Sequence, residues 1–412
     1  MKNIIVGQSG GPTAVINSSL LGVYKTAKDR GADTVYGMVH GIKGLLDRNI
    51  VDLSTCLKTN LDTDLLKRTP SSFLGSCRYK LPDIEGNEDT YEKIFAILQE
   101  LDICAFFYIG GNDSMDTITK LSDYGIQIKS PIRFIGVPKT IDNDLAITDH
   151  TPGYGSAAKY IAATTKEVIR DGRVYDYPVV SVIEVMGRNA GWLTAATALA
   201  RGEDCEGVDA IYLPEVVFDV DKFVENVGNL LKKDRSIVIA VSEGVKVEDG
   251  RYVCELADHV DYVDAFGHKQ LAGTARYLAS KIDEKYGVKT RAIELSSLQR
   301  CASHIMSRVD MTEAFNAGGA AVKAAFEGLT GQVITLKRVS DDPYMCITEP
   351  ADVHFIANLE KKVPLEWITD DGTYVTPELV HYIYPLIQAE IAPLWINGLP
   401  RHIRLHTKST IK

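Results

Sequence analysis

Residues 103–116 read Ile-Cys-Ala-Phe-Phe-Tyr-Ile-Gly-Gly-Asn-Asp-Ser-Met-Asp, an apolar run that ends in two glycines and a group of polar residues. An uninterrupted apolar run of this length is typical of a strand that is buried on both faces of a parallel sheet. Asn112, Asp113 and Ser114 then favour the start of a helix, because Asn, Asp and Ser side chains cap the first turn. The stretch therefore predicts a strand, a glycine turn and a helix, which together form the repeating unit of an α/β fold.

The same rhythm recurs along most of the chain. Apolar runs predict strands at Asn3–Val6, Thr34–Val39, Ile103–Ile109, Ile132–Val137, Val179–Val185, Val208–Leu213, Ile237–Val241 and Thr290–Leu295. Amphipathic stretches predict helices at Pro12–Lys28, Asp89–Leu101, Ser114–Tyr124, Gly155–Arg170, Asn189–Ala200, Asp219–Lys233, Lys269–Tyr286 and Met311–Glu327. Strands that alternate with helices indicate parallel sheets covered on both faces, whose ligands bind beyond the carboxyl ends of the strands.

The composition excludes several classes of protein. The chain has 412 residues, of which 45% are hydrophobic and 24% charged, and these fractions exclude disordered, collagen-like and coiled-coil proteins. A formal net charge of −10 argues against partners such as nucleic acid or anionic membranes, which need a basic face. The sequence shows neither a membrane-spanning apolar run nor a signal peptide. Its seven cysteines form no CxxC pair, so we expect reduced thiols in a cytoplasmic protein.

Two of the glycine turns suit the binding of phosphate. Gly10 and Gly11 precede a helix that opens with Pro12, so the backbone can approach an anion at the helix N-terminus. Gly111 and Asn112 can likewise form a backbone nest for phosphate oxygens, with amide or carboxylate oxygens for Mg²⁺. A tight turn followed by ordinary helix capping is the alternative interpretation of both motifs.

The turn after the fourth predicted strand is the most informative. This loop contains Lys139, Thr140, Asp142, Asn143 and Asp144. Phosphoryl transfer needs a cation to neutralise the moving group, a metal ion, and a carboxylate that takes the proton of the acceptor hydroxyl. The loop offers this set of residues directly after an apolar strand, although a solvated polar loop would also carry them.

Arginines accompany several of the other strand ends. Gly187 lets Arg188 project just beyond a strand, where a guanidinium can clamp a phosphoryl group. Arg291 and Arg300 stand at either end of a strand and its turn, and Arg78 lies in a loop rich in Gly and Ser. Each alone is most simply a solvated surface charge, but together they supply cations for two phosphorylated ligands. The P-loop pattern GxxxxGK[ST] is absent from the sequence, which excludes a P-loop NTPase.

Taken in order, these loops resemble the phosphofructokinase family from the first strand to about residue 340. The motifs are SGG at 9–11, FLGSCR at 73–78, GGNDS at 110–114, PKTIDND at 138–144, EVMGR at 184–188, SEG at 242–244, and TRA and LQR within 290–300. The resemblance implies two phosphofructokinase-type α/β lobes, each a mostly parallel sheet flanked by helices, with the active site between them and a C-terminal extension.

The resemblance also implies the extent of the two lobes and the role of each residue. The phosphoryl-donor lobe is expected at 1–150 plus about 301–330, and the sugar-phosphate lobe at 151–300 plus about 331–412. Asp142 is the implied general base on the 1-hydroxyl of fructose 6-phosphate, Thr140 and Asp144 position the transferring group and the metal, and Arg188 stabilises the transition state. Donor contacts are implied for Gly10, Gly11, Arg78, Gly111, Asp113 and Ser114. Sugar-phosphate contacts are implied for Met186, Gly187, Glu243, Arg291, Ser297 and Arg300.

Two positions favour pyrophosphate as the donor. ATP-using members of the family typically carry GGDGS and a glycine just before TIDND, whereas this chain has Asp113 and Lys139 at those positions. An Asp side chain would crowd and repel the α-phosphate of ATP, and a Lys ammonium can neutralise the compact pyrophosphate. The implied products are fructose 1,6-bisphosphate and phosphate. An ATP-dependent 6-phosphofructokinase and a non-catalytic regulatory subunit that binds sugar phosphate are the alternatives.

Two further positions depart from the pattern of the family. Asn112 stands where a metal-binding Asp is usual, so the implied Mg²⁺ ligand is an amide oxygen without charge. Val179 stands where bacterial ATP-dependent enzymes have an Arg that reaches the sugar phosphate of a neighbouring subunit. The expected homodimer or homotetramer therefore does not rest on that contact.

Overall fold

Two sheets flanked by helices form the fold in the computed structural model, which describes residues 3–256, 271–356, 359–405 and 410–411. The strands are β1 (Asn3–Gln8), β2 (Val35–Met38), β3 (Ile50–Asp52), β4 (Ile103–Gly110), β5 (Arg133–Pro138), β6 (Val179–Val185), β7 (Ala210–Tyr212), β8 (Ser236–Ser242), β9 (Lys289–Glu294), β10 (Gln332–Asp341), β11 (Tyr344–Asp352), β12 (Trp395–Ile396), β13 (Leu399–Pro400) and β14 (Thr410–Ile411). The helices are α1 (Ile16–Asp29), α2 (Gly41–Leu46), α3 (Asn60–Arg68), α4 (Glu88–Glu100), α5 (Asn112–Gln127), α6 (Tyr154–Gly172), α7 (Trp192–Ala195), α8 (Val220–Leu231), α9 (Thr274–Tyr286), α10 (Leu298–Cys301), α11 (Arg308–Phe326) and α12 (Pro377–Ile383).

The first sheet is built around β1 and β4. In the described residues its strand order is β11-β10-β5-β4-β1-β2-β3-β14. The strands from β10 to β2 run parallel, whereas β11, β3 and β14 are antiparallel to their neighbours. Every residue of β4 except Cys104 is buried, because helices cover both faces of a central parallel strand. This explains the continuous apolar run of residues 103–109.

The second sheet has the strand order β7-β8-β6-β9, and all of its described strands are parallel. Every residue of β6 and β8 is buried. Because β1, β4 and β5 are neighbours in the first sheet and β6 and β8 are neighbours in the second, the turns that follow these strands lie side by side. The topology therefore gathers turns that are far apart in sequence.

Helix α11 lies directly on α1. A Cβ atom on Gly22 would lie 2.1 Å from the carbonyl oxygen of Phe315, and one on Gly318 would lie 2.1 Å from that of Ser19. Only glycine permits this approach of two helix backbones. Ala317 and other small residues of α11 complete the apolar core of the first sheet. Among the described residues, no helix is both long and apolar enough to cross a membrane.

The structure confirms the α/β class, and β6 has the predicted bounds. The helix predicted from Pro12 begins at Ile16, and the one predicted at 189–200 divides into α7 and a 3₁₀ turn at 196–200. The predicted start of another helix, Lys269, lies outside the described residues, within which that helix, α9, begins at Thr274.

The expectation that all of the chain after residue 331 lies with the second sheet is wrong for 332–352. These residues form β10 and β11, and β10 pairs with β5 of the first sheet. The reason is that β10 follows α11, which already packs on that sheet, and residues 333–336 are buried there. Farther along, Ile368 and Leu379 pack in the core of the second sheet, so the C-terminal part of the chain contacts both sheets.

Candidate active site

The carboxyl ends of β1, β4, β5, β6 and β8 meet at a cleft of about 650 Å³. The site residues predicted from the sequence that line this cleft are Gly10, Gly11, Arg78, Gly111, Asn112, Asp113, Ser114, Lys139, Thr140, Asp142, Asp144, Met186, Gly187, Arg188, Glu243 and Arg300. The structure thus brings most of the predicted residues together, with turns of the first sheet on one side and turns of the second sheet on the other.

Arg291 and Ser297 lie outside this cleft. Arg291 is in β9 opposite Ser181, within the sheet rather than at its carboxyl edge. The Arg291 Nη1 atom is 2.5 Å from Asp171 Oδ2, and its guanidinium lies over the ring of Tyr175. Ser297 is exposed and directly precedes the short helix α10. The Arg300 N–H donates to the carbonyl oxygen of Ser297 at 3.2 Å, but within one chain neither Arg291 nor Ser297 lines the cleft with Arg300 as expected.

Lys139 ties the turns of the first sheet together. Its Nζ donates a 2.7 Å hydrogen bond to the carbonyl oxygen of Gly11, and its backbone N–H donates to that of Gly110 at 3.1 Å. The residue is only 3% exposed. Burial lowers the pKa of Lys139 to about 8, against the opposing effect of Asp142 and Asp144. The loop thus holds a buried amine between a glycine turn and two carboxylates.

Asp142 is held by its own loop. The Thr140 hydroxyl donates to Asp142 Oδ2 at 3.0 Å, and the Asp142 N–H donates to Thr140 Oγ1 at 3.1 Å. Burial raises the pKa of Asp142, while the Thr140 hydrogen bond and the positive charges of Lys139 and Arg300 oppose that rise. These contacts orient one carboxylate toward the cleft, where it can act as a base.

A second carboxylate, that of Asp144, lines the same cleft. Burial and the negative charge of Asp142 raise the pKa of Asp144 to about 7. At the start of α5, Asn112 Oδ1 is buried and has no hydrogen-bond partner among the described residues. A buried oxygen without a partner suits a cation or an N–H donor of a ligand, because a polar atom is costly to bury unpaired.

The turns after β6 and β8 pack tightly on each other. Ser242 Oγ donates to the carbonyl oxygen of Gly187 at 2.6 Å, and the Gly187 N–H donates to Glu243 Oε1 at 3.4 Å. A Cβ atom on Gly244 would lie only 2.0 Å from the carbonyl oxygen of Arg188. Burial raises the pKa of Glu243 to about 8. The backbone that carries Arg188 is therefore fixed by its neighbour in the second sheet.

Several residues in and around the site had no predicted role, and five of them line the cleft within or next to the predicted turns: Ser9, Pro12, Ile141, Asn189 and Ala190. Leu359 and Glu360 also line the cleft, and no motif around them indicates this. Asn143 was quoted in its motif without a role; its φ is 56°, a left-handed value that Asn adopts more readily than most residues. Asn143 Nδ2 donates to the hydroxyl of Tyr382 at 3.0 Å, and Asn143 Oδ1 accepts from the Thr151 N–H at 3.1 Å. The position of an Asn between two acids was the available signal.

Comparison with known proteins identifies the family. The family described as Phosphofructokinase matches residues 3–325. The chain belongs to the phosphofructokinase family. It is 40% identical over 409 residues to the pyrophosphate–fructose 6-phosphate 1-phosphotransferase of Methylococcus capsulatus, covering 98% of this chain and 96% of that protein. It is also 40% identical over 407 residues to the protein of the same name from Halomonas elongata, with 98% and 96% covered.

A solved structure agrees over the whole chain. The pyrophosphate-dependent phosphofructokinase from Nitrosospira multiformis has a TM-score of 0.89 and 38% sequence identity, and the match covers 100% of this chain and 98% of that one. The phosphofructokinase relatives thus extend past residue 325, over the segment that supplies Leu359 and Glu360 to the cleft. The family resemblance drawn from the loop motifs is confirmed.

Proposed function

We propose that this chain transfers a phosphoryl group from pyrophosphate to the 1-hydroxyl of fructose 6-phosphate, giving fructose 1,6-bisphosphate and phosphate in a reversible reaction. The observation that carries the proposal is the buried Lys139 beside Asp142, in a cleft between two sets of glycine turns. The full-length relatives named for the same reaction support it.

In this reaction Asp142 acts as the general base. Its carboxylate accepts the proton of the 1-hydroxyl as that oxygen attacks the phosphoryl group, and Thr140 keeps the carboxylate oriented through the 3.0 Å hydrogen bond. Arg188 approaches from the second sheet and balances the charge that develops on the transferring group. Asp142 and Arg188 come from opposite sides of the cleft, so both can act on a phosphoryl group that passes from pyrophosphate to the sugar.

Pyrophosphate lies against the turns of the first sheet. The backbone at Gly10, Gly11 and Gly111 can approach its oxygens closely, and Ser114 lies in the first turn of α5. Lys139 neutralises the compact anion from within the cleft. The Asp113 carboxylate lines the space that the additional phosphate of a nucleotide would need, which disfavours ATP. Arg78 lies at the edge of the cleft with the donor.

Fructose 6-phosphate lies against the turns of the second sheet. Glu243 accepts hydrogen bonds from sugar hydroxyls, while Met186 and Gly187 line the sugar site. Arg300 binds the 6-phosphate. The same assignment for Arg291 and Ser297 has no support from their positions in one chain. We accordingly assign the donor to the lobe built on the first sheet and the sugar phosphate to the lobe built on the second.

The cleft fits a divalent cation such as Mg²⁺. Asn112 Oδ1 has no hydrogen-bond partner in the part of the chain that the structure describes, and the carboxylates of Asp142 and Asp144 line the same cleft, so hard oxygen ligands are present. When bound, Mg²⁺ would neutralise charge on the pyrophosphate oxygens. We further propose a homodimer or homotetramer in the cytoplasm, where the cysteine thiols of this chain would stay reduced.

A donor assay tests the proposal. Purified chain is incubated with fructose 6-phosphate, Mg²⁺ and either pyrophosphate or ATP, and fructose 1,6-bisphosphate is measured. We expect turnover with pyrophosphate and a kcat/KM at least about tenfold lower with ATP, which corresponds to about 1.4 kcal/mol of discrimination. Faster turnover with ATP, or binding of fructose 6-phosphate without turnover by either donor, would contradict the proposal.

A further inference from the structure

A short segment that follows β11 joins the two sides of the cleft. We call residues 359–363 the bridging segment. On one side it is attached to the loop that carries the catalytic carboxylates. Leu145 and Glu360 form an isolated antiparallel bridge, and the Lys361 N–H donates to the carbonyl oxygen of Asp144 at 2.7 Å. The bridging segment is therefore hydrogen-bonded to the backbone of the loop that contains Asp142.

On its other side, the bridging segment is attached to the turn after β6. Asn189 Nδ2 donates to Glu360 Oε1 at 2.7 Å. The indole N–H of Trp192 donates to the carbonyl oxygen of Lys361 at 3.0 Å. These two contacts hold the residues that directly follow Arg188 in the chain.

The half-buried carboxylate of Glu215 strengthens the second attachment. Glu215 Oε1 accepts hydrogen bonds from the N–H of Gly191 at 2.9 Å and from the N–H of Val363 at 3.0 Å. The turn after β6 and the bridging segment thus share one acceptor. Because the contacts run along consecutive residues on both sides, the bridging segment fixes one loop relative to the other.

The two loops belong to different sheets, and their relative position matters for the chemistry. Asp142 lies on the first-sheet side and Arg188 on the second-sheet side, and both must act on the same phosphoryl group. A displacement of about 1 Å between such groups can lower a rate about a hundredfold. Of the bridging segment, Leu359 and Glu360 line the cleft. Glu360 is the one whose side chain binds the opposite loop.

We propose that Glu360 is a positioning residue for phosphoryl transfer, which sets the place of Arg188 relative to Asp142 through its hydrogen bond to Asn189. The inference rests on the proposed function and goes beyond it, because it assigns a role in the reaction to the bridging segment. Glu360 acts through Asn189 and needs no contact with either substrate.

A double-mutant cycle with a conservative variant tests the inference. Glu360→Ala and Asn189→Ala each remove the hydrogen bond, and we expect each to lower kcat with pyrophosphate about tenfold, with KM for both substrates changed less than about threefold. The double variant is expected to be no worse than either single variant, since both remove the same interaction. Glu360→Gln keeps an oxygen that accepts from Asn189, and is expected to recover most of the rate.

Glu366→Ala is the matched control, because this exposed acid lies in the same part of the chain and outside the cleft. We expect it to match the unmutated enzyme, and all variants to keep its melting temperature within about 2 °C. Additive losses in the cycle, an unaffected Glu360→Ala enzyme, or a Glu360→Gln enzyme as slow as Glu360→Ala would each overturn the inference. The last result would assign the effect to charge. An unmutated enzyme without pyrophosphate activity would instead refute the proposed function.

Discussion

At the scale of single residues, the loop at 139–144 combines a buried amine with two carboxylates. Lys139 and Asp142 each favour the charged form of the other against the effect of burial. The Thr140 hydroxyl fixes the position of the carboxylate. The types of residue and their spacing could be predicted from the sequence, because the chemistry lies within one loop. The contact of Lys139 with Gly11 could not, because it joins residues 128 positions apart.

The role of Asp142 as the base can be tested by Asp142→Asn, which keeps the shape of the side chain. Because the amide cannot take the proton of the 1-hydroxyl, we expect kcat to fall about 100-fold to 10,000-fold. Binding of fructose 6-phosphate, measured by calorimetry, should change little. If the variant kept more than about a tenth of the original kcat, Asp142 would not be the base.

Lys139 gives the reaction an alkaline limit. Burial lowers the pKa of Lys139 to about 8, so in the enzyme without bound substrate the amine loses its proton as the pH of the solution rises through that value. Once it is neutral it attracts pyrophosphate less, and kcat/KM for pyrophosphate should fall about tenfold for each further pH unit. Steady-state kinetics between pH 6 and 10 measure this decline.

Lys139→Met is the matching control, because it keeps an unbranched side chain without the charge. We expect a low kcat/KM for pyrophosphate at every pH, with no decline near pH 8. A decline of the same size in this variant would show that another group is responsible.

At the scale of secondary structure, the sequence indicated most elements but not all of them. Strand β6 was predicted with its observed bounds, because all of its residues are buried and its apolar run is continuous. Strand β10 was missed, because its second half alternates between exposed and partly buried positions and carries Lys337, Arg338 and Ser340. Strand β10 lies next to the edge strand β11, and a strand that is only partly covered leaves a weaker apolar pattern than a central one.

The contact between the turns after β6 and β8 gives a prediction at this scale. A Cβ atom on Gly244 would lie 2.0 Å from the carbonyl oxygen of Arg188, so Gly244→Ala must displace the turn that carries Arg188. We expect kcat to fall at least about tenfold and the unfolding free energy to drop by about 1–3 kcal/mol. Kinetics and urea denaturation measure the two effects.

Gly202→Ala is the control for this substitution, since a Cβ atom there would make an ordinary contact of 3.6 Å with Asp204 Oδ1. It should leave both kcat and stability nearly unchanged. If Gly244→Ala behaved in the same way, the close contact of the two turns would have no functional importance.

At the scale of the whole molecule, the C-terminal part of the chain contacts both sheets. It adds β10 and β11 to the first sheet, contributes Leu379 to the core of the second, and supplies Glu360 to the cleft. None of this could be predicted from local patterns. The hydrogen bond between Asn143 and Tyr382, for example, joins residues 239 positions apart and is decided by packing alone.

A buried ion network joins the chain after β5 to helix α11. His150 Nδ1 is 2.7 Å from Asp149 Oδ1, and His150 Nε2 is 2.7 Å from Glu313 Oε2 in α11. Burial disfavours the charged imidazole, but the two carboxylates outweigh it and raise the pKa of His150 to about 9. The charged form thus stabilises the fold.

This network makes stability depend on pH. Since the pKa of His150 is higher in the folded chain than its ordinary value of 6.5, its contribution is complete below pH 6.5 and is lost as the pH rises through about 9. We expect the difference in unfolding free energy between the unmutated chain and His150→Gln to be about 3 kcal/mol larger at pH 6 than at pH 10. Urea denaturation at both pH values measures it, and a difference independent of pH would contradict a charged His150.

The central claim is that Asp113 and Lys139 select pyrophosphate as the phosphoryl donor. The most direct measurement is the ratio of kcat/KM for pyrophosphate to kcat/KM for ATP, in the unmutated chain and in the Asp113→Gly, Lys139→Gly double variant. The account predicts a ratio above about ten for the unmutated chain and a fall of at least about a hundredfold in the variant, because space opens for a nucleotide and the buried cation is lost. A ratio below one in the unmutated chain, or one that the double substitution leaves unchanged, would contradict it.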